Sequence, residues 1–237
     1  ILTSLKEKGT LPKNGAVVKS VVSTELARAI CDDFGVAMVE VLTGFKFIGE
    51  KIQQFEETGS HTFLFGFEES FGYLSGTQVR DKDGVNASLL LCEAACACMD
   101  RGETLYDALQ AIYRRYGYYQ ERGVSVTLPG KDGAEKIQRM MTAMRANPPK
   151  ALAGVRVLAV RDFLRGARVD ASGAETALDF PRSNVLYFEL EGGNWVCVRP
   201  SGTEPKIKLY IASKGENEAR AAELNAALTE AARALLA

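Results

Sequence analysis

Ala16-Val17-Val18-Lys19-Ser20-Val21-Val22 is a β-branched run set off by the turn Gly9-Thr10-Leu11-Pro12-Lys13-Asn14-Gly15, and it reads as a buried strand. Ser23 or Thr24 can cap a helix over 25–34, where Leu26, Ile30 and Phe34 repeat at helical spacing. Gly35 stops that helix, and residues 36–42 form a second strand. A further helix covers roughly 44–57, then Thr62-Phe63-Leu64-Phe65 makes a third strand. This β-α-β-α-β alternation predicts parallel connections, with helices covering the sheet. In such sheets ligands gather in loops at the strand ends. Upstream, residues 1–8 read as the end of a helix.

Downstream of the third strand lies a charged, Gly-rich loop over 66–84, then two helical stretches near 85–100 and 104–116. Tyr116-Gly117-Tyr118-Tyr119 ends the helical pattern, residues 120–128 look extended, and a helix at 131–146 stops before Asn147-Pro148-Pro149. Strands follow near 154–163, 184–191, 194–199 and 205–212. The last helix, 216–236, carries Ala221, Leu224, Leu228, Ala231 and Leu235 on one face and should pack on a sheet. The expected architecture is a three-layer α/β domain with a mixed, largely parallel sheet over 1–117. A smaller α+β domain over 118–237 follows, rich in antiparallel strands with helices on one face.

The chain has 237 residues, 46% hydrophobic and 25% charged, which suits two globular domains and excludes collagen-like, low-complexity and wholly disordered readings. Lys plus Arg total 29 against 30 for Asp plus Glu, a net charge of -1. A dedicated nucleic-acid binder shows a basic excess, so any anion must be met by a local cluster instead. No apolar run approaches the ~20 residues that span a bilayer, so no membrane is expected. Five cysteines, an odd number, fit a reducing cytoplasm rather than a disulfide framework. Cys92, Cys96 and Cys98 lie in an apolar run that no histidine or aspartate joins, so they are expected in the core rather than on a metal. The opening at Ile1 is too short and too charged for a signal peptide, and without an initiator methionine the chain is expected to begin partway through a longer protein.

Two segments carry most of the chemistry. In the first, strand 195–199 ends in Arg199, followed by Pro200-Ser201-Gly202-Thr203-Glu204-Pro205 and a strand from Ile207. Arg supplies a planar fork of donors, Ser201 and Thr203 add hydroxyls, and Gly202 lets backbone N–H groups turn inward as an anion nest. Lys206 and Lys208 fall on one side of their strand. An ordinary polar hairpin is the competing account. The second segment is Gly66-Phe67-Glu68-Glu69-Ser70-Phe71-Gly72-Tyr73, directly after a buried strand. Its carboxylates can accept sugar hydroxyls with help from Ser70, or act as the acid and base of a glycosidase, or cap a helix. Glu69 should alternate away from Glu68. Nearby, Arg80-Asp81-Lys82-Asp83-Gly84 precedes a helix that Asp83 can cap, leaving Lys82 and Arg80 free to meet an anion. Thr43-Gly44-Phe45-Lys46 opens a helix after the second strand, a natural anion-facing corner. His61 is the single histidine and stands apart from these segments, so no zinc site is expected.

Together, Thr43-Gly44-Phe45-Lys46-Phe47-Ile48-Gly49, Gly66-Phe67-Glu68-Glu69-Ser70-Phe71-Gly72 and Arg199-Pro200-Ser201-Gly202-Thr203-Glu204-Pro205 resemble the motifs of the α-D-phosphohexomutases, the phosphoglucomutase/phosphomannomutase family, in the family's order. The resemblance covers essentially the whole chain and is greatest to bacterial phosphoglucomutase-type members. It implies the third and fourth domains of a four-domain, cytoplasmic enzyme, itself a phosphoprotein. That enzyme would interconvert hexose 1-phosphate and hexose 6-phosphate through a bisphosphate intermediate. The family's phosphoserine loop, Thr-Ala-Ser-His-Asn-Pro, and its metal loop, Asp-Gly-Asp-Gly-Asp-Arg, appear nowhere in the chain. The resemblance therefore places the catalytic serine and the Mg2+ ligands in missing N-terminal domains, with no cofactor and no turnover expected here. It implies sugar binding by Glu68, Ser70, Thr43, Gly44 and Lys82. The non-transferring phosphate would be held by Arg199, Ser201, Gly202, Thr203 and Lys208. Phosphomannomutase, phosphopentomutase, N-acetylglucosamine phosphomutase and a non-catalytic phosphosugar-binding module stay open.

Overall fold

Strand β1 (Gly15–Ser20) is buried along its whole length, as a β-branched run at the centre of a sheet must be. In the computed structural model, which describes every residue but Thr203 and Ala237 and only the backbone of Lys131, it is flanked by two parallel neighbours. These are β2 (Ala37–Val41) and β3 (Thr62–Glu68), and β4 (Gly72–Leu74) adds an antiparallel edge, giving the order β2-β1-β3-β4. Helix α1 (Leu2–Glu7) precedes the sheet, while α2 (Leu26–Phe34) and α3 (Phe45–Thr58) make the crossovers. Period-two alternation sorts the two faces. Ala16 and Val18 pack with Phe45, Ile48, Ile52 and Phe55 of α3, whereas Val17 packs with Cys31 and Phe34 of α2. Each fully buried side chain of this size contributes about 1.5–3 kcal/mol, and the three-layer arrangement follows.

One residue in β3 breaks the alternation. Ala16 lies opposite Phe63 but Val17 lies opposite Phe65, so Leu64 is extra, a β-bulge. Phe63 and Glu68 are five positions apart and would face opposite ways in a regular strand. With the bulge, Phe63 packs on the α3 layer and Glu68 meets the N-terminus of α3.

The segment read as a loop over 66–84 is partly strand: β3 runs to Glu68, and β4 pairs back on it. Gly66 and Gly72, which suggested a loop, sit within these strands where a side chain has no room, a Cβ at Gly66 falling 2.6 Å from Ile48. Helices α4 (Gly84–Met99) and α5 (Leu105–Tyr116) complete this unit, Ile1–Tyr116. Cys98 is buried as expected, but Cys92 and Cys96 are exposed, a correction to their core reading. Among the described residues nothing packs over their side of α4.

The second unit, Gly117–Ala237, is as long as the first rather than smaller. Its strands are β5 (Tyr118–Thr127), β6 (Ala151–Leu152), β7 (Val155–Asp162), β8 (Ala167–Asp170), β9 (Glu175–Ala177), β10 (Leu186–Leu190), β11 (Trp195–Pro200) and β12 (Lys206–Gly215). All pairings are antiparallel, in the order β5-β12-β11-β10-β7-β8-β9 with β6 on β7. Leu186, Phe188, Val196, Val198, Leu209 and Ile211 alternate onto one face. There α6 (Gly130–Ala146) and α7 (Glu218–Ala234) supply Met140, Met141, Met144, Leu228 and Ala232. Strands β6, β8 and β9 are short, and the polar Glu175-Thr176-Ala177 leaves no apolar run for sequence reading to find.

Candidate functional site

The strand order of the first unit reverses between β1 and β3, which opens a crevice at their C-terminal ends. Glu68 closes β3 at that point. Its Oε2 accepts from the Gly44 N–H at 3.2 Å, and its Oε1 accepts from Ser70 Oγ at 2.8 Å and lies 2.6 Å from Lys82 Nζ. Lys82 also donates to the Ser70 carbonyl at 3.0 Å. Three of the five sugar-site expectations thus converge on a fourth, the Glu68 carboxylate, itself 6% exposed, while Ser70 and Lys82 stay open to solvent. The fifth, Thr43, lies beside Gly44, half-buried. Gly72 makes the cluster possible: a Cβ there would stand 2.8 Å from Glu68 Cγ, Lys82 Cε and Phe45 Cδ2 alike. Phe71, 88% exposed at a φ of 57°, projects from the same turn.

Glu69 turns away, and its Oε2 accepts from Ser20 Oγ at 2.8 Å, which pairs in turn with Ser23 Oγ at 2.8 Å. The loop after β3 is thereby tied to the end of β1 across the crevice. Sequence reasoning passes over Ser20 and reads Ser23 only as a candidate helix cap, whereas its hydroxyl pairs with Ser20; the available signal is hydroxyls directly after the central buried strand. Lys19 is also passed over as part of an apolar run. It is fully buried on the α2 side, with Nζ 2.7 Å from Glu25 and 3.2 Å from Glu40, its register partner in β2. Arg28 bridges the same two carboxylates.

Burial pushes the Glu68 carboxyl up, but hydrogen bonds from Lys82 and Ser70, the Lys82 charge and the Gly44 N–H outweigh it. The group is held below the usual carboxylate range and is ionised at neutral pH, which suits a hydroxyl acceptor and not a general acid. Because the folded pKa is depressed, the associated stability is present above the unfolded value and lost as pH falls through the folded one. Replacing Lys82 with Met should move the Glu68 titration upward, since burial then acts with less opposition. Carboxyl NMR of both proteins checks this, and an unmoved or lowered midpoint would contradict it.

In the second unit, Arg199 on β11 lies directly opposite Lys208 on β12, which faces Ser125 of β5. Like charges directly opposite in an antiparallel pair repel. Among the described residues no carboxylate pairs with either. Lys206 is held by Glu204, 3.0 Å from both oxygens. The Ser201 N–H donates to the Lys206 carbonyl at 2.7 Å and closes the turn, so it is not open to a ligand. Among the described residues nothing accepts from the Gly202 N–H, which is exposed at the tip. Thr203 lies outside the described residues. Asp83 caps α4 through the Asn86 N–H at 2.8 Å, and His61 packs against the Phe55 ring at 5.0 Å. Among the described residues no three His, Cys, Asp or Glu gather to hold a metal ion, and no helix is long and apolar enough to cross a membrane.

Residues 1–116 match the family described as phosphoglucomutase/phosphomannomutase, alpha/beta/alpha domain III, and residues 137–231 match phosphoglucomutase/phosphomannomutase, C-terminal domain. A protein named phosphoglucomutase from Staphylococcus haemolyticus (strain JCSC1435) is 35% identical over 218 residues, 92% of this chain and 39% of the relative. Another of that name from Staphylococcus aureus (strain bovine RF122 / ET3-1) is 40% identical over 202 residues, 85% of this chain and 36% of the relative. The chain therefore spans well under half the length of these relatives. Among solved structures, the open form of pp63/parafusin from Paramecium superposes with a TM-score of 0.64 at 17% identity, covering 92% of this chain and 37% of that one. A putative phosphomannomutase from Thermus thermophilus gives 0.62 at 21% identity, covering 99% and 39%. At such identities the two structures speak for the fold.

Proposed function

Since the chain belongs to the phosphoglucomutase/phosphomannomutase family, we propose that it is the substrate-holding part of a longer enzyme that interconverts hexose 1-phosphate and hexose 6-phosphate. Glucose is the proposed sugar, following the names of the Staphylococcus relatives. Glu68 accepts sugar hydroxyls, exchanging its Ser70 bond for them, while Lys82 keeps the carboxylate charged. Gly44 and Thr43 border the same crevice. Arg199 and Lys208 hold the phosphate not being transferred, with the Ser201 hydroxyl, the Gly202 N–H and Thr203 completing the cradle. Such a cradle reads charge and geometry rather than a particular carbon, so it can accept either end of a bisphosphate intermediate.

The observation that carries this reading is the Arg199–Lys208 pair. Two cations set opposite one another without a carboxylate destabilise the hairpin by about 0.2–1 kcal/mol, and a phosphate dianion relieves that repulsion. Phosphoryl transfer itself is assigned to the part of the protein outside this chain. Magnesium would be held there too: the described residues offer no cluster that fits the ion, and no step here runs through it. Five free thiols support a reducing, cytoplasmic setting.

The test is Arg199→Lys in the longer polypeptide that contains residues 1–237. Charge is kept and the bidentate fork is lost, so KM for hexose 1-phosphate should rise roughly tenfold, the equivalent of one charge-assisted hydrogen bond. An unchanged KM would remove Arg199 from the cradle.

A further inference from the structure

Helix α4 is apolar all round: over Gly84–Met99 its one charged residue is Glu93. A helix of that composition belongs in a protein interior, yet Cys98 is its one fully buried residue. Val85 is 84% exposed, Leu89 and Leu91 are each 59% exposed, and Met99 is 73% exposed. Val85, Leu89, Cys92, Cys96 and Met99 recur at spacings of four, three, four and three, all exposed, which forms a straight seam along one side of the helix. That is the spacing with which one helix packs against another. Leu105 and Leu109 of the adjoining α5, 39% and 40% exposed, widen the apolar area.

We propose that this seam is the docking face for a helix from the remainder of the same polypeptide, the portion by which the relatives exceed this chain. The inference rests on family membership and not on the phosphosugar reading. More than half of each relative's length lies outside the match, which is ample for a covering segment. The near-absence of charge marks a permanently covered face, because interfaces that open and close keep more polar and charged residues. A cover joined through the backbone also acts at high effective concentration and needs no second molecule.

Cys92 and Cys96 make the proposal measurable without a mutation. In the native longer polypeptide, N-ethylmaleimide should modify both thiols at least 100-fold more slowly than a free cysteine, with mass spectrometry reading each site. Both should reach the free rate in denaturant, and the buried Cys31, Cys98 and Cys197 serve as protected references. Free-thiol rates in the native protein would overturn the proposal. Sedimentation at the labelling concentration separates the occupants: protection in a monomer supports a cover within the chain. Protection confined to a dimer and lost on dilution assigns the seam to a second copy and overturns it as well. Hexose phosphate kinetics do not enter either readout, so an error in the substrate assignment would leave the thiol result standing.

Discussion

Gly72→Val in the longer polypeptide should lower kcat/KM for hexose 1-phosphate at least 100-fold, a loss of about 2.7 kcal/mol. The first added carbon already falls 2.8 Å from Glu68, Lys82 and Phe45, and the two further methyl groups have nowhere to go. Phe45 is locked in the core with Ile48 and Ile52, so the displacement must come from Glu68 and Lys82. Driving those two apart breaks the 2.6 Å ion pair and moves the carboxylate off its Gly44 hydrogen bond. Overpacking of this kind typically destabilises by about 1–3 kcal/mol, so the variant should still fold. Gly72→Ala should fall between the wild type and the valine variant. A valine variant with wild-type kcat/KM would show that the Glu68 cluster plays no part in turnover.

The largest effect on stability is expected at Lys19. Lys19→Met keeps the length of the side chain but leaves Glu25 and Glu40 facing each other with Arg28 alone between them. Losing one partner of a buried ion pair destabilises by about 3–5 kcal/mol, and the surviving Arg28 contacts argue for the lower end, about 3 kcal/mol. Native-state hydrogen exchange of the β1 amides measures that opening free energy directly and does not require the whole protein to unfold in one step. Adding Glu40→Leu to Lys19→Met should recover most of the loss, because removing both partners spares the uncompensated charge. If the single variant opens no more readily than the wild type, the Lys19 network is not what holds β1 and β2 in register.

These two sites differ in how far the sequence discloses them. The alternation from Ala16 to Phe65 and the hairpin around Arg199 are local patterns, and a period of two or 3.6 reports them faithfully. Glu68, Ser70, Gly44 and Lys82 are visible as polar residues beside strand and helix ends, and the structure gathers them around one carboxylate. The links that fix their positions are not local. Ser20 meets Glu69 across 49 residues of chain, and Lys19 meets Glu40 only once β1 and β2 are aligned. Cys92 and Cys96 mislead for a different reason: apolar composition says that a face must be covered, not by what.

The extra residue at Leu64 gives β3 a parity. From the last core aromatic, Phe63, an odd number of steps leads to Glu68, yet the two share a side because one step is absorbed in the bulge. An even count with the bulge, or an odd count without it, would present Glu69 to the α3 terminus and send Glu68 to the opposite layer. Which of two adjacent, chemically identical carboxylates meets the α3 terminus, the proposed sugar site, is therefore decided by counting, several residues upstream, and not by either glutamate. When relatives are aligned through this strand, a single gap between Phe63 and Glu68 marks an exchange of roles within the pair, even where the Glu-Glu motif itself is untouched.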